Sequence, residues 1–164
     1  MRACVIFASR YGNTEKIARS VESGVKQAGV QAECYGVSEL KADSLVGYDL
    51  ICVGGPTEAF SASKEMKDFL EKLDGSDLSG KYGFAFDTKL DSRLSGSAGG
   101  YIERKLRKAG LRIAAPRESA IVFKVRGGGA TGAAALKEGE ERRFQEIGRQ
   151  VGTALLASLK TVST

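Results

Sequence analysis

Short apolar runs alternate along this chain with hydrophobic residues at helical spacing. Ala3–Ala8 and the DLICV stretch Asp49–Val53 are continuous runs, the pattern of strands covered on both faces. Between them Ile17, Val21, Val25 and Ala28 recur at three- and four-residue steps, which predicts an amphipathic helix ending at Gly29. Gln31–Tyr35 reads as a short second strand, followed by a polar, irregular stretch. Met66, Phe69, Leu70 and Leu73 form one helical stripe, Tyr82–Phe86 a fourth strand, and Ile102, Leu106 and Ala109 a helix closed by Gly110. The fifth strand is broken: Leu111–Ala114, a stop at Pro116, then Ser119–Val125. Phe144, Ile147, Val151 and Leu155 line a last helix. The order β-α-β-α-β-α-β-α-β-α, with short connections and no repeat, predicts a parallel sheet between helices, in one domain over residues 1–164.

Sheets of this kind bind ligands beyond the carboxyl ends of their strands, where the strand order reverses. Three loops therefore carry the functional reading. Ser9-Arg10-Tyr11-Gly12-Asn13-Thr14 follows the first strand. Its hydroxyls, and backbone N–H groups at a helix start, suit an anion. An ordinary turn capped by Asn13 or Thr14 fits the same residues. Gly54-Gly55-Pro56-Thr57-Glu58-Ala59-Phe60 follows the third strand, and Phe60 offers a stacking surface for a planar ligand or is a single loop aromatic. Asp87–Gly100 follows the fourth strand. A Gly/Ser-rich loop of that length is functional, or is a mobile connection in which Ser95 or Ser97 caps the next helix. Together the three place a phosphate socket, a stacking loop and a polar loop on one edge.

Composition narrows the chemistry. Histidine is absent, which removes His-ligated metal sites and imidazole acid–base catalysis. Cys4, Cys34 and Cys52 lack CxxC spacing and read as small buried hydrophobes in a reducing compartment; no metal site is expected. The N-terminal MRACVIFA is too short for a secretory segment and no run is long enough to span a membrane, so the expected location is cytoplasmic. Net charge is +5, and Lys89–Arg126 holds ten Lys/Arg against three Asp/Glu. Nucleic acid is a poor partner for that run, since aromatics are not interleaved with its charges. Gly127–Gly132 matches G-x-G-x-x-G but lies late in the chain, so it reads as a mobile loop over 127–139. A response-regulator site fails for lack of acidic residues after strands one and three, and no nucleotide-hydrolysing P-loop is present.

SRYGNT, GGPTEAF and the Gly/Ser loop together resemble the flavodoxin-like FMN-binding family. Tyr11 at the third position of the first loop resembles the flavodoxin modules of oxygen- and nitric-oxide-reducing flavoproteins. The resemblance covers essentially the whole chain and implies a five-stranded parallel sheet, order 2-1-3-4-5, with helices on both faces. It implies FMN as cofactor. The phosphate would lie on Ser9, Tyr11, Gly12, Asn13 and Thr14, with Arg10 beside it either helping to hold it or facing solvent. The ring would contact Pro56, Thr57, Glu58, Ala59 and Phe60, then Asp87, Thr88, Lys89, Gly96, Ser97 and Gly99. Typical members are acidic and many enclose the ring with Trp and Tyr; this chain is basic and has no Trp.

What the resemblance implies is an electron carrier between redox partners. The alternative is an FMN-dependent oxidoreductase acting on a quinone or porphyrin-like substrate. The basic run would favour an anionic partner surface. A carboxylate near the ring, Glu58 or Asp87, would disfavour the reduced form, while Lys89 or Arg93 would favour it. Oligomeric state stays open.

Overall fold

Residues 1–125 and 133–161 are described by the computed structural model of the chain. The apolar runs form β1 (Arg2–Phe7), β2 (Gln31–Gly36), β3 (Leu50–Glu58), β5 (Tyr82–Leu90) and β7 (Glu118–Lys124). These five pair in parallel in the order β2-β1-β3-β5-β7, the reversal expected of the first two strands included. Three short strands enlarge the sheet. β4 (Ser61–Ala62) folds back antiparallel on β3, β6 (Arg112–Ile113) pairs with β5, and β8 (Ala134–Leu136) closes the far edge antiparallel to β7.

Both faces of the sheet are covered, which is why the strands are apolar throughout. Helices α1 (Asn13–Gln27) and α4 (Glu140–Lys160) pack Ile17, Val21, Val25, Phe144, Val151 and Leu155 against Val5, Phe84 and Phe86. On the other face α2 (Lys64–Glu71) and α3 (Ala98–Lys108) pack Met66, Leu70, Ile102 and Leu106 against Ile6, Val53 and Ala85. Cys4 and Cys52 are buried and Cys34 is half-buried; burial pushes the Cys4 and Cys34 thiols up to about 12, so they behave as hydrophobes.

The structure departs from the sequence pattern in three places and follows it in a fourth. The polar stretch between the second and third strands forms a single 3-10 helix, Ala42–Gly47, in place of an α-helical crossover. β3 and β5 each run on through what reads as loop, because Gly54, Gly55 and Pro56 keep pairing with Phe86, Asp87 and Thr88. The fifth strand divides into β6 and β7 around Pro116, as its broken pattern predicts. Of the stretch read as a loop over 127–139, residues 133–139 contain β8, while 127–132 lie outside the described residues.

Candidate functional site

At the carboxyl end of β1 the chain turns into α1 through Gly12, whose φ of 85° is left-handed and favours glycine. Neither Asn13 nor Thr14 caps the helix. The Ser9 Oγ accepts hydrogen bonds from the N–H groups of Gly12 (3.1 Å) and Glu15 (3.4 Å). First-turn N–H groups have no intrahelical acceptor, and among the described residues those of Asn13 and Thr14 reach no protein oxygen. The Asn13 side chain turns sideways and donates to the Ala134 carbonyl of β8 (2.7 Å). The Thr14 hydroxyl meets that of Thr88 on β5 at 2.8 Å, buried between helix and sheet.

These residues form one end of a cavity of about 190 Å³. Of the positions expected at the site, Ser9, Arg10, Tyr11, Asn13, Thr14, Pro56, Thr57, Glu58, Thr88 and Lys89 line it. Leu90, Val122, Lys124 and Ala134 complete it and were not expected. They come from the unforeseen extension of β5 and from the β7–β8 pair. Val122 and Lys124 share one side of β7 by their period of two, the one sequence signal that marks them. Arg10 sits at the mouth, its guanidinium 4.0 Å from the Glu58 carboxylate and 5.5 Å from the centre of the Tyr11 ring.

The remaining expected residues lie outside the cavity lining. Gly12 shapes the first turn without facing the cavity. Ala59 and Phe60 form the tip of the β3–β4 hairpin, and Phe60 is 71% exposed. Gly96 packs on the backbone of Phe60, where any Cβ would collide with the Phe60 carbonyl. Asp87 is fully buried. Strand alternation sends Phe84, Phe86 and Thr88 toward α1 and α4, and Ala85 and Asp87 toward α3. There the Asp87 Oδ2 accepts from the Thr57 hydroxyl (3.1 Å), the Ser97 hydroxyl (2.8 Å) and the Gly99 N–H (2.9 Å). Ala98 N–H donates to the Thr57 hydroxyl (2.9 Å), and Ser97 caps α3 by accepting from Gly100 N–H (3.3 Å). The Asp87 Oδ1 has no partner among the described residues. Asp87, Ser97 and Gly99 thus tie the second loop to the third from beneath the cavity. The arrangement as a whole offers hydroxyls and open N–H groups at one end, and the apolar walls of Pro56, Leu90 and Val122 beyond them. An anionic group on a flat apolar body fits it.

Comparison with known proteins bears on the family and the fold. The family model described as flavodoxin matches residues 5–147. Among curated proteins, a flavodoxin of Clostridium saccharobutylicum is 30% identical over 89 residues, 54% of this chain and 56% of that protein. An NAD(P)H dehydrogenase (quinone) of Chromohalobacter salexigens is 32% identical over 111 residues, 52% of this chain and 55% of that protein. The match thus spans about half the length of these relatives. A solved flavodoxin from the domain Archaea superposes with a TM-score of 0.76 at 23% identity, over 95% of this chain and 99% of that one. With the family model covering most of the chain, the chain belongs to the flavodoxin family.

Proposed function

We propose that this chain holds FMN in the cavity behind the first loop and carries electrons between redox partners. The flavodoxin family binds FMN, and the residues present suit it. The observation that carries the reading is the helix start itself. The Asn13 and Thr14 N–H groups, left open while Ser9 takes their neighbours, stand beside the Thr14–Thr88 hydroxyl pair, where a phosphate finds donors and a favourable helix dipole. With FMN bound, Pro56, Thr57, Glu58, Leu90 and Val122 would be the lining residues available to the ring. Asp87, Gly96, Ser97 and Gly99 hold the loops around it rather than touching it.

Bound FMN supplies the electron chemistry, taking up and releasing one or two electrons. The chain supplies placement and charge. Lys89 lines the cavity and would favour added negative charge on bound FMN, whereas Glu58, itself beside Arg10, would oppose it.

A second reading, an FMN-dependent quinone oxidoreductase, is favoured by the likeness to the NAD(P)H dehydrogenase (quinone) relatives. One experiment separates the two. FMN is titrated into the purified protein by flavin fluorescence, and the loaded protein is then assayed for NAD(P)H oxidation with a quinone. Retention of FMN with negligible turnover is the expected result. Sustained turnover without a partner protein overturns the carrier reading in favour of the oxidoreductase. A protein that fails to retain FMN overturns both.

A further inference from the structure

The β3–β4 hairpin pairs Thr57 with Ala62 and Glu58 with Ser61, which leaves Ala59 and Phe60 as a two-residue turn. Both have positive φ, 44° and 70°, the sign pattern of a type I′ turn, a position that favours Asn-Gly. Residues other than glycine, and to a lesser degree Asn and Asp, are disfavoured in the left-handed region. The turn therefore holds an aromatic ring in solvent against the backbone's own preference. Phe60 does not reach the cavity: it is 71% exposed. Leu94, in the third loop, is 81% exposed. The two loops are fastened to one another by the Phe60–Gly96 bridge, so both apolar side chains stand on one rim. The third loop is braced internally: Ser95 Oγ donates to the carbonyls of Leu90 (3.2 Å) and Ser92 (2.8 Å), and Leu94 N–H donates to Ser92 Oγ (3.2 Å). From beneath, Asp87 secures both loops.

The charges beside this pair are predominantly basic. Arg93 adjoins Leu94 and is exposed, and Lys89 lies at the cavity edge; among the described residues neither has a carboxylate within ion-pair distance. The carboxylate at the hairpin stem, Glu58, is already beside Arg10. Asp91 is the one acidic residue between Lys89 and Leu94, so this stretch of the rim keeps a positive excess on a chain of net charge +5.

We propose that Phe60 and Leu94 form a braced apolar knob that docks a redox partner protein whose own contact face is an apolar depression bordered by carboxylates. The assignment rests on the FMN reading for its electron chemistry but not for the docking itself. Burial of an exposed aromatic at the centre of a contact supplies affinity, and unpaired cations around it steer an acidic partner to the cavity mouth. Glu58 and Leu90 line the cavity, two and four residues from the knob, so a partner seated there lies at the mouth.

The test uses cytochrome c in two forms that differ in surface charge, the native basic protein and its succinylated, acidic derivative. Each encounter passes one electron from the reduced, FMN-loaded protein to ferric haem iron, so a doubly reduced protein reduces two cytochromes. At low salt the succinylated form is expected to react about tenfold faster or more, and the preference to collapse at about 0.5 M salt, where the screening length is a few ångströms. In the protein without FMN, adding succinylated but not native cytochrome should shift the backbone amide NMR signals of residues 59–61 and 93–96. The double variant Ala59→Asn/Phe60→Gly gives the turn the residues it prefers, so it should fold with an equal or higher Tm and keep its FMN affinity. It should still lose the fast reaction about tenfold. Arg93→Glu should reduce the preference for the acidic cytochrome, whereas Arg112→Glu, at the opposite end of the sheet, should leave it within about twofold. A native cytochrome preferred at low salt, a wild-type rate in the double variant, or equal effects of Arg93→Glu and Arg112→Glu would overturn the knob. Loss of FMN affinity in the double variant would do so as well, by making Phe60 a cover for the ring. Failure of the wild-type chain to bind FMN, with the amide shifts intact, would instead count against the FMN reading alone.

Discussion

The cavity has two rims built on opposite terms. The first, built on Asn13 and Thr14 with Thr88 and β8, turns its polar groups inward: Asn13 and Thr14 are buried, and their side chains are hydrogen-bonded to β8 and β5, while Arg10 and Tyr11 stay exposed. The second, from Glu58 to Phe60 with Leu90 to Gly96, turns apolar side chains outward on a strained turn. Buried hydroxyls with fixed partners suit a ligand that stays; an exposed ring on a braced loop suits a protein that comes and goes. If this division is right, substitutions on the two rims separate cofactor affinity from partner exchange.

The largest effect is expected at Asp87, which serves the second rim without being exposed on it. Asp87→Ala leaves the Thr57 hydroxyl, the Ser97 hydroxyl and the Gly99 N–H without their acceptor. Hydrogen bonds to a carboxylate contribute about 1.5–3 kcal/mol each, so a loss of about 5 kcal/mol of stability is expected, read from urea unfolding midpoints. Asp87→Asn keeps an acceptor oxygen and should lose less than half as much. A change below about 1 kcal/mol for the alanine variant would mean that the two loops are held by something other than this hub.

On the first rim, Thr14→Val removes one hydroxyl from the Thr14–Thr88 pair at nearly constant volume. Stability should fall by about 1 kcal/mol. FMN affinity should fall about tenfold, equivalent to 1.4 kcal/mol, in a fluorescence titration. Equal FMN affinity in Thr14→Val and wild type would erase the distinction between the rims, since the exposed-rim variant is also expected to keep its affinity.

How much of this could be read from the residues depends on which interactions are local. The apolar runs and the SRYGNT turn carry their own signal, because a strand covered on both faces and a helix start are written in consecutive positions. The extensions of β3 and β5 are not so written. Gly54, Gly55 and Pro56 are poor strand residues, and only their partners across the sheet, Phe86, Asp87 and Thr88, keep them extended. Val122, Lys124 and Ala134 reach the cavity through the sheet order, far from the first loop in the chain. Asp87 was legible in part: counting by twos from Phe84 separates it from Thr88 and sends it to the other face. Phe60 was legible only as an unplaced aromatic. Its solvent-facing position follows from the two-residue turn, which in turn depends on β4, a strand too short to leave a pattern.

The smallest effect concerns the wall that closes the first rim. Glu140, at the start of α4, accepts from the Ile121 N–H of β7 (2.8 Å) and from Arg143 Nε (3.0 Å), joining that strand to the helix. Burial pushes its carboxyl pKa up, but the hydrogen bonds from Arg143 and Ile121 outweigh burial and hold it below the usual value. A folded-state pKa below the unfolded one gives stability that is present above the unfolded value, near 4.5, and is lost as pH falls through the folded value. Acid should therefore loosen the tie between β7 and α4. As pH falls below about 4.5 the wild type should lose stability that Glu140→Gln does not lose, because the variant lacks the titrating group. In hydrogen exchange, the Ile121 N–H should gain more rate in the wild type than in Glu140→Gln as pH falls through the same range. An identical acid response in wild type and Glu140→Gln would sink this account, and would leave the outer carboxylates to explain acid sensitivity on both rims alike.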